Sequence, residues 1–164
     1  MARLVLVGLP GAGKTTVARA VGERLGCDVV DTDDVLASMV GASTADHLRA
    51  VGEEAFRDDE VAALRASVAR DVVVSTGGGV VTTEAARAIL AEQVTLWLDA
   101  PDEVLVTRVG EGDRPLLAGN ARAAVAALRA RRASWYREVS RSSVDTARPL
   151  EEVVEDVLRA MMAT

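Results

Sequence analysis

The residues from Gly8 to Thr15 read Gly-Leu-Pro-Gly-Ala-Gly-Lys-Thr and satisfy the pattern G-x-x-x-x-G-K-[ST] at every fixed position. That pattern suits a triphosphate. Glycines let successive backbone N–H groups turn toward phosphate oxygens, and a helix starting near Lys14 adds the positive end of its dipole. Lys14 reaches the β- and γ-phosphates as a point charge, and the Thr15 hydroxyl offers Mg2+ a hard oxygen. The expected cradle is Gly11, Ala12, Gly13, Lys14, Thr15 and Thr16. Lys14 is also the sole lysine of the chain, every other basic residue being arginine, so lysine is kept where a flexible point charge is needed.

The elements around these residues must hold them in place. Leu4 to Val7 is a short apolar run ending in glycine, the pattern of a parallel strand buried on both faces. Thr15 to Leu25 follows as a helix stopped by Gly26. Val29-Val30 ends in Asp31, and a helix is expected from near Asp33, whose carboxylate is placed to cap it. Alternate strand residues share a face, so Asp31 and Asp33 can both turn toward a pocket at the strand's end. Thr44 to Ala69 predicts two helices broken at Gly52, and Val72-Val73-Val74 predicts a strand running into Gly77-Gly78-Gly79. A helix over Thr83 to Leu90, a strand over Val94 to Leu98 and a helix after Pro101 come next. Gly110 to Gly119 breaks the periodicity and is expected to be a mobile loop. Ala121 to Arg137 reads as a helix and Ser143-Val144 as a short strand. Leu150 to Met161 closes the chain as an amphipathic helix with Val153, Val154, Val157, Leu158 and Met161 inward. Strands alternating with helices imply an α/β layer fold with a mostly parallel sheet.

Composition narrows the function. The 164 residues predict one domain over 1–164. Nineteen basic against twenty-five acidic residues give a net charge of −6, which leaves no global positive field for a nucleic acid or an anionic membrane. Any anion must be bound locally. The single cysteine, Cys27, forms no intramolecular disulfide, and the apolar run at the amino terminus is too short for a signal peptide or a span. A cytoplasmic monomer is the expectation, with no apolar stripe left over once the core is assigned. His47 is the only histidine and has no second His or Cys nearby, so a transition-metal site is not expected. With Asn120 the only asparagine and Lys14 the only lysine, an Asn-Lys-x-Asp guanine motif is impossible, which excludes a GTP switch.

Beyond the phosphate loop, Asp31-Thr32-Asp33, Phe56-Arg57 with Glu60, Gly77-Gly78-Gly79, Arg114-Pro115-Leu116-Leu117, and Arg132 ahead of Trp135-Tyr136 occur in this order over essentially the whole chain. Together they resemble the shikimate kinase family. The resemblance implies a three-layer α/β sandwich around a five-stranded parallel sheet, a P-loop kinase of the nucleoside monophosphate kinase group. It also implies a lid at about 110–119 and substrate-binding helices at about 33–62. The implied reaction uses ATP and Mg2+ to phosphorylate the 3-hydroxyl of shikimate, a step of aromatic amino acid synthesis.

Carried over residue by residue, Arg57 and Arg132 match the arginines that fork the substrate carboxylate, and Glu60 would orient Arg57 from one helical turn on. Asp33 matches the group that holds the hydroxyls and accepts the proton, and Asp31 stands with Thr15 near the metal. Gly78 and Gly79 match glycines whose backbone approaches the substrate. Arg114 matches the lid arginine and, with Lys14 and Asp33, completes the catalytic set. Arg108 matches a second basic residue near the nucleotide, and Asp145-Thr146-Ala147-Arg148 resembles the segment against which adenine lies, with Arg148 as a contact. The sequence departs from the family at Leu48, where an aromatic is common, and at Ser134-Trp135, where Pro-Leu usually precedes the tyrosine. Kinases of gluconate or of nucleoside monophosphates also take anionic substrates, so the arginines alone leave them open. The Asp-Thr-Asp, triple-glycine and Arg-Pro-Leu-Leu strings fit shikimate better.

Overall fold

The computed structural model describes residues 1–110 and 120–163. Leu4–Val7 form β1, and all four side chains are fully buried, as a strand covered on both faces requires. Lys14–Leu25 form α1, whose C-cap Gly26 adopts the left-handed conformation with φ 61°. Val29–Asp31 form β2 and Thr32–Val40 form α2. Here the expectation at Asp33 is corrected. Because β2 runs through Asp31, that residue is the N-cap, and its carboxylate accepts from the Asp33 N–H. Asp33 lies in the first turn with its side chain exposed.

Thr44–Val51 form α3 and Glu53–Val68 form α4, separated at Gly52 with φ 82°. Val73–Ser75 form β3, one residue later than the valine run suggested, and Val80–Thr82 make a single 3-10 turn after the triple glycine. Glu84–Ala91 form α5, capped by the Thr83 hydroxyl, and Thr95–Asp99 form β4. Asp102–Gly110 form α6 and Ala121–Val139 form α7, two residues longer than the sequence pattern indicated. Ser142–Asp145 form β5 and Leu150–Met162 form α8, with Val153, Val154 and Val157 buried. Leu158 and Met161 pack against the same core while half-buried.

The five strands make one parallel sheet in the order β2-β3-β1-β4-β5, with Leu6 beside Ser75 and Leu96, and Asp31 beside Ser75. α1 and α8 pack together against β3 to β5, while α4, α5 and α7 adjoin one another around the 3-10 turn, giving three layers. In an open parallel sheet ligands bind outside the carboxyl ends of the strands, where the order reverses. β1, β2 and β3 deliver Gly8, Asp31 and Ser75 to that edge. No helix among the described residues is long and apolar enough to cross a membrane.

Candidate active site

The phosphate loop joins β1 to α1. The N-cap of α1 is Gly13 at φ 88°, and no side chain caps the helix, whereas Asp31, Ser43, Thr83 and Asn120 cap α2, α3, α5 and α7. Within the loop the Ala12 N–H donates to the Leu9 carbonyl, and the Val17 N–H opens the helical ladder at the Gly13 carbonyl. The N–H groups of Gly11, Gly13, Thr15 and Thr16 find no acceptor among the described residues. Unspent donors at a helix N-terminus are what an anion needs. Lys14 is buried, and its ammonium donates to the carbonyls of Gly8 at 2.7 Å and Leu9 at 3.0 Å, which stations the charge over the loop.

At the start of α1 the Thr15 Oγ1 donates to Asp31 Oδ2 at 3.1 Å and lies 3.3 Å from Ser75 Oγ. Thr15 and Asp31, the expected metal pair, are thus together, and Ser75 joins them as a third oxygen. Ser75 was not among the expected site residues. Its signal was a buried hydroxyl ending an otherwise valine strand at the carboxyl edge of the sheet. The set is all oxygen with one carboxylate, which fits Mg2+, an ion that keeps waters and takes few protein ligands.

Arg108, on α6, donates to the Gly11 carbonyl at 3.2 Å, the Thr146 hydroxyl at 3.1 Å and the Thr146 carbonyl at 2.5 Å. It ties the phosphate loop to the segment after β5. Arg148 is not brought to the loop. Its guanidinium binds Glu152 and Asp156 on α8. Arg114, and the lid expected over 110–119 apart from Gly110, lie outside the described residues.

The other half of the site surrounds Gly77-Gly78-Gly79. The Gly77 N–H donates to the Thr32 hydroxyl at 3.1 Å, pinning the turn to the start of α2. A Cβ on Gly77 would stand 2.7 Å from Asp33 Oδ1, and one on Gly79 would stand 2.5 Å from Arg57 Nη1. Only glycine lets the Asp33 carboxylate and the Arg57 guanidinium lie on the turn. Arg57 donates to Glu60 at 2.7 Å, and Glu60 is buried, so the carboxylate fixes the guanidinium. Arg57 also lies over the Phe56 ring at 5.5 Å.

Arg132 projects from α7 one turn before Tyr136, whose hydroxyl donates to the Gly78 carbonyl at 2.5 Å. Burial, opposed by the nearby Arg132 charge, pushes the Tyr136 hydroxyl pKa up to about 12. The Nε atoms of Arg57 and Arg132 are buried and find no partner among the described residues.

The sequence model of the family described as shikimate kinase matches residues 10–162. This chain belongs to the shikimate kinase family. A shikimate kinase of Corynebacterium jeikeium is 38% identical over 160 residues, covering 95% of this chain and 86% of that protein. One of Mycobacterium bovis is 43% identical over 149 residues, covering 89% and 85%. The solved shikimate kinase of Acinetobacter baumannii in complex with shikimate superimposes with a TM-score of 0.90 at 30% identity, covering 97% of this chain and 92% of that one. The two departures from the shikimate kinase pattern are absorbed by packing. Leu48 packs against the small cluster of Leu36, Phe56 and Ala63, and Trp135 lies under the Arg87 guanidinium at 5.0 Å.

Proposed function

We infer that the chain transfers the γ-phosphoryl group of ATP to the 3-hydroxyl of shikimate, giving shikimate 3-phosphate and ADP. The observation that carries this is the pairing of two anion sites along one edge of the sheet. One is a cradle of backbone donors with Lys14, and the other a turn flanked by Arg57 and Arg132. A triphosphate fits the first and a carboxylate the second.

In the reaction the shikimate oxygen forms a bond to the γ-phosphorus as the bond to the bridging oxygen of ADP breaks. Little covalent chemistry falls to the protein, so positioning and charge supply the rate. Arg57 and Arg132 hold the carboxylate, with Glu60 fixing the first of them. Asp33, lying on Gly77, holds the ring hydroxyls and accepts the proton from the 3-hydroxyl. Gly78 and Gly79 let the ring approach the backbone. Gly11 to Thr16 and Lys14 hold the phosphates, and Arg108 lies where the nucleotide meets the loop. Thr15, Asp31 and Ser75 would hold Mg2+, directly or through water. The ion, when bound, neutralises charge on the β- and γ-phosphates. The same reading makes the protein a monomer of the reducing cytoplasm, where the lone Cys27 needs no partner.

The test is ADP release with MgATP, comparing shikimate with gluconate, nucleoside monophosphates and no acceptor. Turnover well above the blank with shikimate alone is the expected result. Turnover equal to the blank with shikimate, or preference for another acceptor, overturns the reading.

A further inference from the structure

The Tyr136 hydroxyl is fully enclosed by the fold, yet it serves a glycine peptide at the edge of the site. Its ring is stacked on Trp97 at 5.8 Å with an interplanar angle of 25°, and Trp97 belongs to the interior strand β4, between β1 and β5. The hydroxyl therefore has a rigid mounting. The acceptor is equally constrained. Gly78 sits against the phosphate loop so closely that a Cβ there would stand 3.0 Å from Pro10 Cδ. Gly79 is covered by the Arg57 guanidinium on the side a Cβ would occupy.

A trans peptide is planar, so the N–H of one residue points opposite to the carbonyl of the residue before it. With the Gly78 carbonyl held by Tyr136 on the core side, the Gly79 N–H is turned outward. Neither the Gly78 N–H nor the Gly79 N–H has an acceptor among the described residues. An amide beside Arg57 that is turned outward and has no acceptor is a further donor for a bound oxygen anion. Without the hydroxyl the peptide could rotate, since glycine on both sides of the bond imposes little φ/ψ restraint.

Resting on the reading of this site as that of shikimate and ATP, we propose that Tyr136 is a positioning residue. Its hydroxyl fixes the Gly78-Gly79 peptide so that the Gly79 N–H faces the substrate held by Arg57. Tyr136 does not touch substrate and does not exchange a proton in the reaction. Arg132 stands one turn earlier on the same helix α7.

The variant that isolates the hydroxyl is Tyr136→Phe, and the control is Trp97→Phe, which loosens the same stack without touching the hydrogen bond. Initial rates are measured against shikimate and against MgATP. Tyr136→Phe is expected to raise the KM for shikimate about tenfold, the scale of one lost hydrogen bond, and to leave the KM for MgATP within about twofold. Trp97→Phe is expected to leave both within about twofold. In ¹⁵N-labelled protein the Gly79 amide signal should shift on shikimate addition in the wild type and not in Tyr136→Phe. That readout does not depend on whether the variant loses stability. A shikimate KM within twofold of wild type in Tyr136→Phe overturns the proposal. So does an equal rise in Trp97→Phe, or a Gly79 amide that shifts alike in both proteins. Failure of the wild type itself to use shikimate would overturn the functional reading instead.

Discussion

The two halves of the site bind anions by different means. On the nucleotide side the donors are backbone N–H groups of one contiguous loop, assisted by the single lysine. On the substrate side they are the guanidiniums of Arg57 on α4, which lies on the glycine turn and is fixed by the buried Glu60, and of Arg132 on α7. A loop of backbone donors is built by local conformation and tolerates any side chain that permits the turn. A cluster of guanidiniums depends on tertiary packing, and losing one member leaves its buried partner without a counter-charge. The nucleotide side should therefore fail in chemistry with the fold intact, and the substrate side should fail in both.

The largest effect is expected from Lys14→Met, which removes the one ammonium over the loop. Turnover with shikimate should fall by about 10²- to 10³-fold, the scale for losing one charge-stabilising donor, with little change in melting temperature. Arg57→Ala should lower kcat/KM for shikimate by about a hundredfold and also destabilise the protein, because Glu60 is left buried and unpaired. Adding Glu60→Gln should restore the melting temperature and not the activity. If Arg57→Ala is as stable as the wild type, the difference between the halves disappears.

Gly79→Ala drives a methyl into the Arg57 guanidinium, and the shikimate KM should rise about tenfold while the MgATP KM stays put. A smaller effect comes from pH. Tyr136 is raised from 10.0 to about 12 in the fold, so the native state keeps its proton where the unfolded chain has lost it. That contribution is complete below pH 10 and is lost as pH rises toward 12. The wild type should lose about 2 to 3 kcal/mol over this range beyond the loss seen in Tyr136→Phe, read as melting temperature against pH. The smallest effect is expected from Arg148→Ala, whose guanidinium faces α8, and the MgATP KM should stay within about twofold.

The same contrast explains how much could be read in advance. The phosphate loop was legible because its residues are adjacent and their chemistry is conformational, and the strands β1 to β4 were legible as short apolar runs between helices. The contacts that complete the metal set and the glycine turn join Thr15 to Ser75 and Tyr136 to Gly78, residues about 60 apart, and no local pattern encodes them. Asp33 was expected as a cap because the helix was judged to begin near it, whereas α2 begins at Thr32. The carboxylate two residues earlier takes that bond, which leaves Asp33 on Gly77. Arg148 pairs with Glu152, four residues on, at the spacing of a helical ion pair. The Arg57–Glu60 pair was readable for the same reason of spacing.

The most direct test of the account is equilibrium binding of MgATP and of shikimate, measured separately on Lys14→Met and Arg57→Ala. Each variant should lose only its own ligand. Arg57→Ala should bind MgATP within about threefold of wild type and shikimate about a hundredfold more weakly, and Lys14→Met the reverse. Parallel loss of both ligands in Arg57→Ala, with the protein still folded, would contradict the division of the site into two independently built halves.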